Sequence, residues 1–372
     1  MPPELTPQTR AHLTELSTLL PDWARNLGFD QIGVADTNID DHSARLSNWL
    51  AEGFHGEMAY MAKQAHLRAN PGSLHAATQR VISVRMDYSP AGAPPRLTNA
   101  NTVIASDRAD AAYTARYALG RDYHKVLRKR LATLQGQIEN WVYERGIAVP
   151  GGRVFTDSAP VLERGFAEKA GLGWIGKNTM LINRNAGSYF FLGELFTALP
   201  LATTAATSNH CGSCSACIEV CPTGAIVAPY QLDARRCISY FTIELKGAIP
   251  IEYRRAMGNR IFGCDDCQIV CPWNRYAKVT TIDDFLPRNQ LDTSSMLALF
   301  AWSEEAFLAR TAGSAIRRTG YDGWLRNLAV ALGNAPTGAD VVAALARRKG
   351  RSDLIDEHID WALAEHAERK SS

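Results

Sequence analysis

Cys211-Gly212-Ser213-Cys214-Ser215-Ala216-Cys217-Ile218-Glu219-Val220-Cys221-Pro222 carries the chemistry of this chain. Its spacing, Cys-x-x-Cys-x-x-Cys-x-x-x-Cys-Pro, belongs to proteins that hold two iron-sulfur clusters, the closing cysteine crossing to the other cluster. A second run, Cys264, Cys267 and Cys271-Pro272, repeats the pattern one ligand short, because Ile261 stands at its first position. Cys237, between the runs, is the remaining one of the eight cysteines and fills that gap. Two 4Fe-4S clusters use all eight thiolates. The expected ligand sets are Cys211, Cys214, Cys217 and Cys271 for one cluster, and Cys221, Cys237, Cys264 and Cys267 for the other.

Paired Cys-x-x-Cys knuckles also hold structural zinc. A tetrahedral zinc would take two cysteines from each knuckle and leave Cys217, Cys221, Cys237 and Cys271 unexplained. Disulfides fare worse. The N-terminus shows no charged-then-apolar leader and no apolar stretch has bilayer-spanning length, so a cytoplasmic protein with reduced thiols and no membrane attachment is expected.

The 372 residues are 46% hydrophobic and 21% charged, a globular composition with room for two or three domains and no sign of disorder. A formal charge of +2 makes no case for nucleic acid by itself. The basic residues are unevenly placed, however: Arg116, Arg121, Lys125, Arg128, Lys129 and Arg130 crowd residues 116–130 against Asp122 alone. Such a run is either a solvated helix face or a phosphate-contacting one.

Helix-like and strand-like stretches alternate before the cysteines, which predicts an α/β domain over residues 1–200. Helical periodicity covers 9–27, interrupted at Pro21, then 43–52 and 122–144, with a proline-started helix at 160–170. Strands are expected at 31–35, 80–88, 153–156, 179–183 and 189–195, the second as a half-buried one. Gly171-Leu172-Gly173-Trp174-Ile175-Gly176 has the letters of the dinucleotide fingerprint but follows a helix and leads into strands, so its glycines mark turns and nicotinamide is not expected.

Beyond a cluster domain at 201–285, residues 296–309, 324–332, 339–347 and 354–368 place apolar side chains at three- and four-residue spacing. Stacked HEAT-like helix pairs fit that pattern, as does an ordinary bundle. Residues 313–318 turn into Arg317 and Arg318, near Trp324. Arginine forks bind phosphate and aromatic faces stack on bases, although a tryptophan at this spacing also suits a helix core.

The longer motifs are Asp157-Ser158-Ala159-Pro160-Val161-Leu162-Glu163-Arg164, Ala170 with Gly171-Leu172-Gly173-Trp174-Ile175-Gly176-Lys177, and Gly187-Ser188 with Phe191-Leu192-Gly193-Glu194. They closely resemble those of the epoxyqueuosine reductase family. Segments 117–124, 233–240, 258–267 and 313–318 are also family-like, so the resemblance runs from about residue 25 to near the C-terminus. It implies reduction of the epoxide of epoxyqueuosine, at the tRNA wobble position, to the alkene of queuosine, the last step of queuosine biosynthesis. It implies cobalamin beside the two clusters, electrons from an external low-potential donor, and a fold in three parts. These are an α/β cobalamin-binding and catalytic domain (1–200), a bacterial ferredoxin-like domain with two clusters (201–285) and an α-helical HEAT-like tRNA-binding region (286–372), in a monomer.

Site residues follow from the same resemblance. Opening an epoxide leaves an alkoxide unless a proton arrives, and Asp157, held protonated by a dry pocket beside the corrin, would supply it; the plain alternative is a helix N-cap before Pro160. Asp122-Tyr123-His124 departs from the cobalt-ligating Asp-x-His-x-x-Gly signature at Leu127. Tyr123 and His124 are therefore expected in the pocket or proton network, not as a lower axial ligand. Arg68, Lys177 and Asn178 are expected on the corrin, and Ser239, Asp265 and Asp266 where the second cluster meets its edge or as orienters of thiolates. Arg317, Arg318 and Trp324 are the RNA-binding candidates. Two other classes compete: a cobalamin and cluster dehalogenase acting on a small molecule, against which the basic segment and arginine-bearing tail speak, and a ferredoxin-like carrier, which would leave the long N-terminal domain idle.

Overall fold

A computed structural model describes residues 5–90, 96–97, 103–104, 110–148 and 151–371. Strands β1 (Gln31–Asp36), β2 (Arg80–Asp87), β3 (Arg153–Phe155) and β4 (Phe190–Thr197) form one sheet in the order β1-β2-β4-β3, with every pairing antiparallel. Cross-strand register places Val34, Ile82 and Leu195 in one row and Ala35, Val81 and Phe196 in the next. The first row faces helices α1 (Pro7–Asn26) and α2 (Tyr123–Tyr143), and the second faces α3 (Glu163–Lys169). Both faces of β2 are thus covered, and it is buried from Val81 onward instead of half-buried as expected.

Helix α1 continues through Pro21 because that residue lies on the exposed side, where the carbonyl it leaves without a donor can be hydrated. Helix α2 starts at Tyr123 because the Asp122 side chain accepts the His124 backbone N–H at 3.1 Å. Helix α3 begins at Glu163, not at Pro160, so residues 156–162 form a loop. Gly171, at φ 75°, ends that helix region in the left-handed conformation. At Gly173 a Cβ would lie 2.2 Å from the Ile182 carbonyl oxygen, so this glycine permits close backbone approach within the hairpin Trp174–Ile175/Leu181–Ile182.

Each cysteine run carries one turn of helix, Ala216–Glu219 in the first and Asp266–Ile269 in the second. Strand Arg260–Phe262 pairs in parallel with Tyr113–Thr114 and ties the second run to the N-terminal part. The expected helix over 296–309 is two, Met296–Phe300 and Glu304–Arg310, because Ser303 caps a new start by accepting the Ala306 N–H at 3.2 Å. Helix α4 (Gly320–Asn334) is buried nearly all round. Its Trp324, Leu325 and Leu328 share a core with Phe241, Ile261 and Phe262, and with Ile355, Ile359 and Ala362 of α5 (Asp353–Ser371). Asn327 bonds the Thr242 and Ile261 carbonyls, each at 2.9 Å, so the core is continuous across the boundary expected at 285/286. Among the described residues no helix is long and apolar enough to cross a membrane.

Candidate active site and cluster region

The first turn of α2 presents Tyr123 and His124 to one carboxylate. The Tyr123 hydroxyl donates to Asp157 Oδ2, and His124 Nε2 stands 3.1 Å from the same oxygen. Stacking fixes both rings: Tyr123 lies on Phe191 at 4.1 Å and on His124 at 4.2 Å. On its other side His124 Nδ1 meets Asp122 Oδ1 at 2.6 Å. Burial opposes charge on this imidazole, but hydrogen bonds to Asp122 and Asp157 outweigh it and lift its pKa to about 9. Burial likewise pushes Asp157 up, and the bonds from His124 and Tyr123 overcome it, holding the acid below the ordinary carboxylate range.

The expectation of an Asp157 kept protonated by a dry pocket is corrected accordingly. Its side chain is 51% exposed, and the hydrogen bonds that raise His124 and lower Asp157 favour the proton on the imidazole. Asp157 does not cap α3 either: its backbone N–H donates to the Glu163 side chain. Its φ of 51° is left-handed, a strained state for a residue with a side chain and one that concentrates at functional sites.

Around Asp157, burial shifts Tyr117, Tyr123 and Glu163 although each keeps partial contact with solvent, and Arg164 is exposed, which is how side chains on the wall of a cleft behave. Tyr117 marks the course of this cleft. Burial raises its pKa, and Asp157, Asp265 and Glu244 add to the rise, so the phenol lies among groups from three separate segments. At the same mouth Arg318 pairs with Glu244 at 2.9 Å and lies over the Tyr60 ring at 5.9 Å.

The cysteines fall into two groups. Cys211, Cys214, Cys217 and Cys271 line one cavity with Lys177 and Trp273. Burial and the other three sulfurs push the Cys217 thiol up to about 11. In the second group burial raises Cys267, with Cys237 and Cys221 adding to it, and Cys237 in turn raises Cys264. All eight are free thiols. The Ala225 N–H donates to Cys221 Sγ at 3.2 Å, as it would to a thiolate.

Family models match two segments: one described as a 4Fe-4S double cluster binding domain covers residues 210–274, and "Epoxyqueuosine reductase QueG, DUF1730" covers 68–158. The chain is 55% identical over 355 residues to the epoxyqueuosine reductase of Pseudomonas aeruginosa, covering 95% of each. It is 52% identical over 360 residues to that of Escherichia coli, covering 97% of this chain and 92% of the relative. The chain belongs to the epoxyqueuosine reductase family. A solved family structure containing an epoxyqueuosine-modified tRNA stem loop superposes with a TM-score of 0.81 at 28% identity, covering 95% of this chain and 91% of the other. A Bacillus subtilis member, described with its aspartate catalytic loop swung out of the active site, gives 0.82 at 29% identity over the same shares.

Several expected reductase contacts are corrected by where their polar atoms go. Lys177 Nζ donates to the Gly212 and Cys214 carbonyls at 2.7 and 2.9 Å, and Asn178 donates to the Cys267 carbonyl at 3.2 Å. Both therefore brace cysteine loops. Asp265, 2% exposed, accepts the Tyr113 hydroxyl and the Arg116 N–H, each at 2.8 Å. Asp266 takes a two-point bond from Arg260, at 3.0 and 2.5 Å. These two acids anchor the second run, and Ser239 bonds Cys237. Trp324 is 0% exposed and stacks on Trp302 at 5.6 Å, so it is a core residue and not a base-stacking platform. Arg317 and Arg318 are exposed, as are Lys125, Arg128 and Lys129, and Arg128 reaches Ser158 beside Asp157 at 3.1 Å. Sequence reasoning missed Tyr117, Glu163 and Glu194; the available signal was a lone acid, Glu194, inside the apolar strand β4.

Proposed function

We propose that this chain reduces the epoxide of epoxyqueuosine, at the wobble position of tRNA, to the alkene of queuosine. The relatives' shared activity name and the tRNA stem loop held by one solved relative support the reading. The observation that carries it is the convergence of Tyr123 and His124 on one oxygen of Asp157 in a cleft that Tyr117 connects to Asp265, beside the second cysteine group.

Removing an epoxide oxygen as water consumes two electrons and two protons. When bound, the two 4Fe-4S clusters and cobalamin supply the electrons, drawn from an external low-potential donor. Cys211, Cys214, Cys217 and Cys271 would hold one cluster, and Cys221, Cys237, Cys264 and Cys267 the other; four-thiol groups match that chemistry. For the corrin, the fit rests on the cleft wall and on Arg68. Arg68 is 7% exposed and among the described residues its guanidinium hydrogen-bonds only the Tyr60 carbonyl, at 3.5 Å, leaving donors for corrin amides or the nucleotide phosphate.

The protein's own residues manage the proton. His124, charged at neutral pH, passes a proton from Nε2 to Asp157 Oδ2, and Asp157 delivers it to the departing oxygen. Tyr123 fixes the carboxylate through the same oxygen. Residues 1–200 form the catalytic part, 201–285 the ferredoxin-like cluster part, and 286–372 a HEAT-like region that presents Arg317 and Arg318 to RNA, in a cytoplasmic monomer. An anaerobic preparation should contain about eight irons and one cobalt per chain and convert epoxyqueuosine in tRNA to queuosine, read by mass spectrometry of the nucleosides. Zinc without cobalt after reconstitution, or an untouched epoxide, overturns the reading.

A further inference from the structure

Behind Asp157 lie two acids that the steps above leave unused. Glu194 sits in the middle of β4 at 0% exposure, on the sheet face covered by α3. Among the described residues neither of its carboxyl oxygens receives a hydrogen bond from an N–H or hydroxyl. Opposite it in the ladder is Ser83, also 0% exposed, whose hydroxyl has no partner either. The group that faces Glu194 is the carboxyl of Glu163, the first residue of α3. Glu163, half-buried, accepts the Asp157 backbone N–H. Buried acids thus run from the sheet interior to the strained loop of the proton donor.

Two carboxyl groups can face each other, one of them wholly out of water, only if at least one keeps its proton, since an unpaired buried carboxylate is heavily penalised. The charged groups that bear on the pair are Asp157 from its loop, His124 from α2, and Arg68 and Arg164 near Glu163. None makes an ion pair with either acid among the described residues. Burial, reinforced by Asp157, pushes Glu163 up to about 8, and burial reinforced by Glu163 pushes Glu194 well above the carboxylate range.

We propose that Glu163 and Glu194 form a proton-carrying pair that supplies the second proton of the reduction, through Glu163 to the Asp157 carboxylate. The inference rests on the reading of the preceding section. The balance is epoxide plus two electrons plus two protons giving alkene plus water: the carbon-oxygen bonds break, the carbon-carbon double bond forms, and the electrons come from the external donor. The first proton reaches the oxygen from His124 by way of Asp157, and without a second the oxygen would leave as hydroxide. Once Asp157 has given its proton, Glu163 recharges it, Glu194 recharges Glu163, and the pair recovers a proton from solvent at the cleft. Glu194 acts through Glu163 and is a positioning and storage residue.

Glu194→Gln and Glu163→Gln keep side-chain size but carry no acidic proton. In the cofactor-free wild-type chain at neutral pH, infrared spectroscopy should show the carbonyl stretch of protonated carboxyls, and Glu194→Gln should remove the Glu194 share of it, leaving only the band of Glu163. In the loaded enzyme each variant should lose ~10²-fold or more in turnover, with unchanged tRNA affinity and cofactor content, and Glu194→Asp should recover part of the rate. A wild-type spectrum lacking the protonated carboxyl, or turnover of Glu194→Gln within about twofold of wild type when general acid-base catalysis is worth ~10²-fold, overturns the proposal. If Glu194→Gln does not fold, the half-buried Glu163→Gln decides by the same readouts. A wild type that leaves epoxyqueuosine intact defeats the parent reading instead, whatever the spectra show.

Discussion

His124 Nε2 stands 3.1 Å from Asp157 Oδ2 while its Nδ1 stands 2.6 Å from Asp122 Oδ1, so one imidazole is held between two carboxylates. Helix initiation produces the arrangement: Asp122 caps α2, and the next two residues, Tyr123 and His124, leave the first turn toward the loop at 156–162. A charged donor is thereby stationed beside the carboxylate proposed to meet the substrate, and the ring cannot turn away without giving up its stacking on Tyr123.

Asp157→Asn keeps the side-chain size and can still hydrogen-bond Tyr123, but it cannot carry an acidic proton. Turnover should fall by ~10²- to 10⁴-fold, with tRNA affinity, iron and corrin content near wild type. Because the Asp157 side chain does not cap α3, loss of a helix cap cannot account for such a result. Near-wild-type turnover would remove Asp157 from the proton path and leave Tyr123 or His124 as the donor.

The raised pKa of His124 has a defined sign. The imidazolium's bonds contribute stability that is fully present below the ordinary histidine value of 6.5 and lost as pH rises through about 9. The depressed Asp157 contributes in the opposite direction, losing its share as pH falls through its lowered pKa. Turnover should decline on the alkaline side near that upper value, and the melting temperature should decline with it. In His124→Gln the alkaline decline in melting temperature should flatten; an unchanged profile would show that another group titrates there.

Arg317 and Arg318 should differ in what their reversal does. Arg317 is exposed and among the described residues its guanidinium meets only the Leu308 carbonyl, at 3.2 Å, so Arg317→Glu should weaken tRNA binding and lower its salt slope by about 1 to 2. Arg318→Glu also sets like charges together at Glu244 and near the cleft, so turnover should suffer beyond the binding loss. Trp324→Ala, by contrast, should cost ~3–5 kcal/mol of stability through the core it fills. Binding curves at two salt concentrations, with melting curves alongside, separate these outcomes.

How much of this was legible differs by kind of interaction. A double-cluster domain could be read because coordination imposes fixed spacing, and the expected place of Cys237 came from counting thiolates against the gap at Ile261. The antiparallel pairing of the sheet could not, because covering both faces of β2 erases the alternation that would announce it. Lys177 and Asn178 were misplaced for a related reason: their partners are carbonyls on the cysteine loops, the nearest 35 residues away, and only tertiary packing brings them within reach. The protonation of Asp157 was unreadable because it depends on His124 winning against desolvation, a balance that no single motif encodes. Glu163 and Glu194 lay inside family-like segments, yet separate segments do not show that two acids face each other.

The crossing of ligands between the two runs gives the last prediction. Cys221 closes the first run in sequence, but its sulfur belongs with Cys237 and Cys267 in space, while Cys271 from the second run lies with Cys211, Cys214 and Cys217. Each cluster would then depend on both runs, so one run alone cannot complete either site. Cys221→Ala and Cys237→Ala should each abolish the same electron paramagnetic resonance signal in the reduced enzyme and leave the other cluster's signal in place. Cys271→Ala should spare that first signal and remove the second. If Cys221→Ala and Cys237→Ala eliminate different signals, the crossing is wrong and Cys237 serves the other cluster.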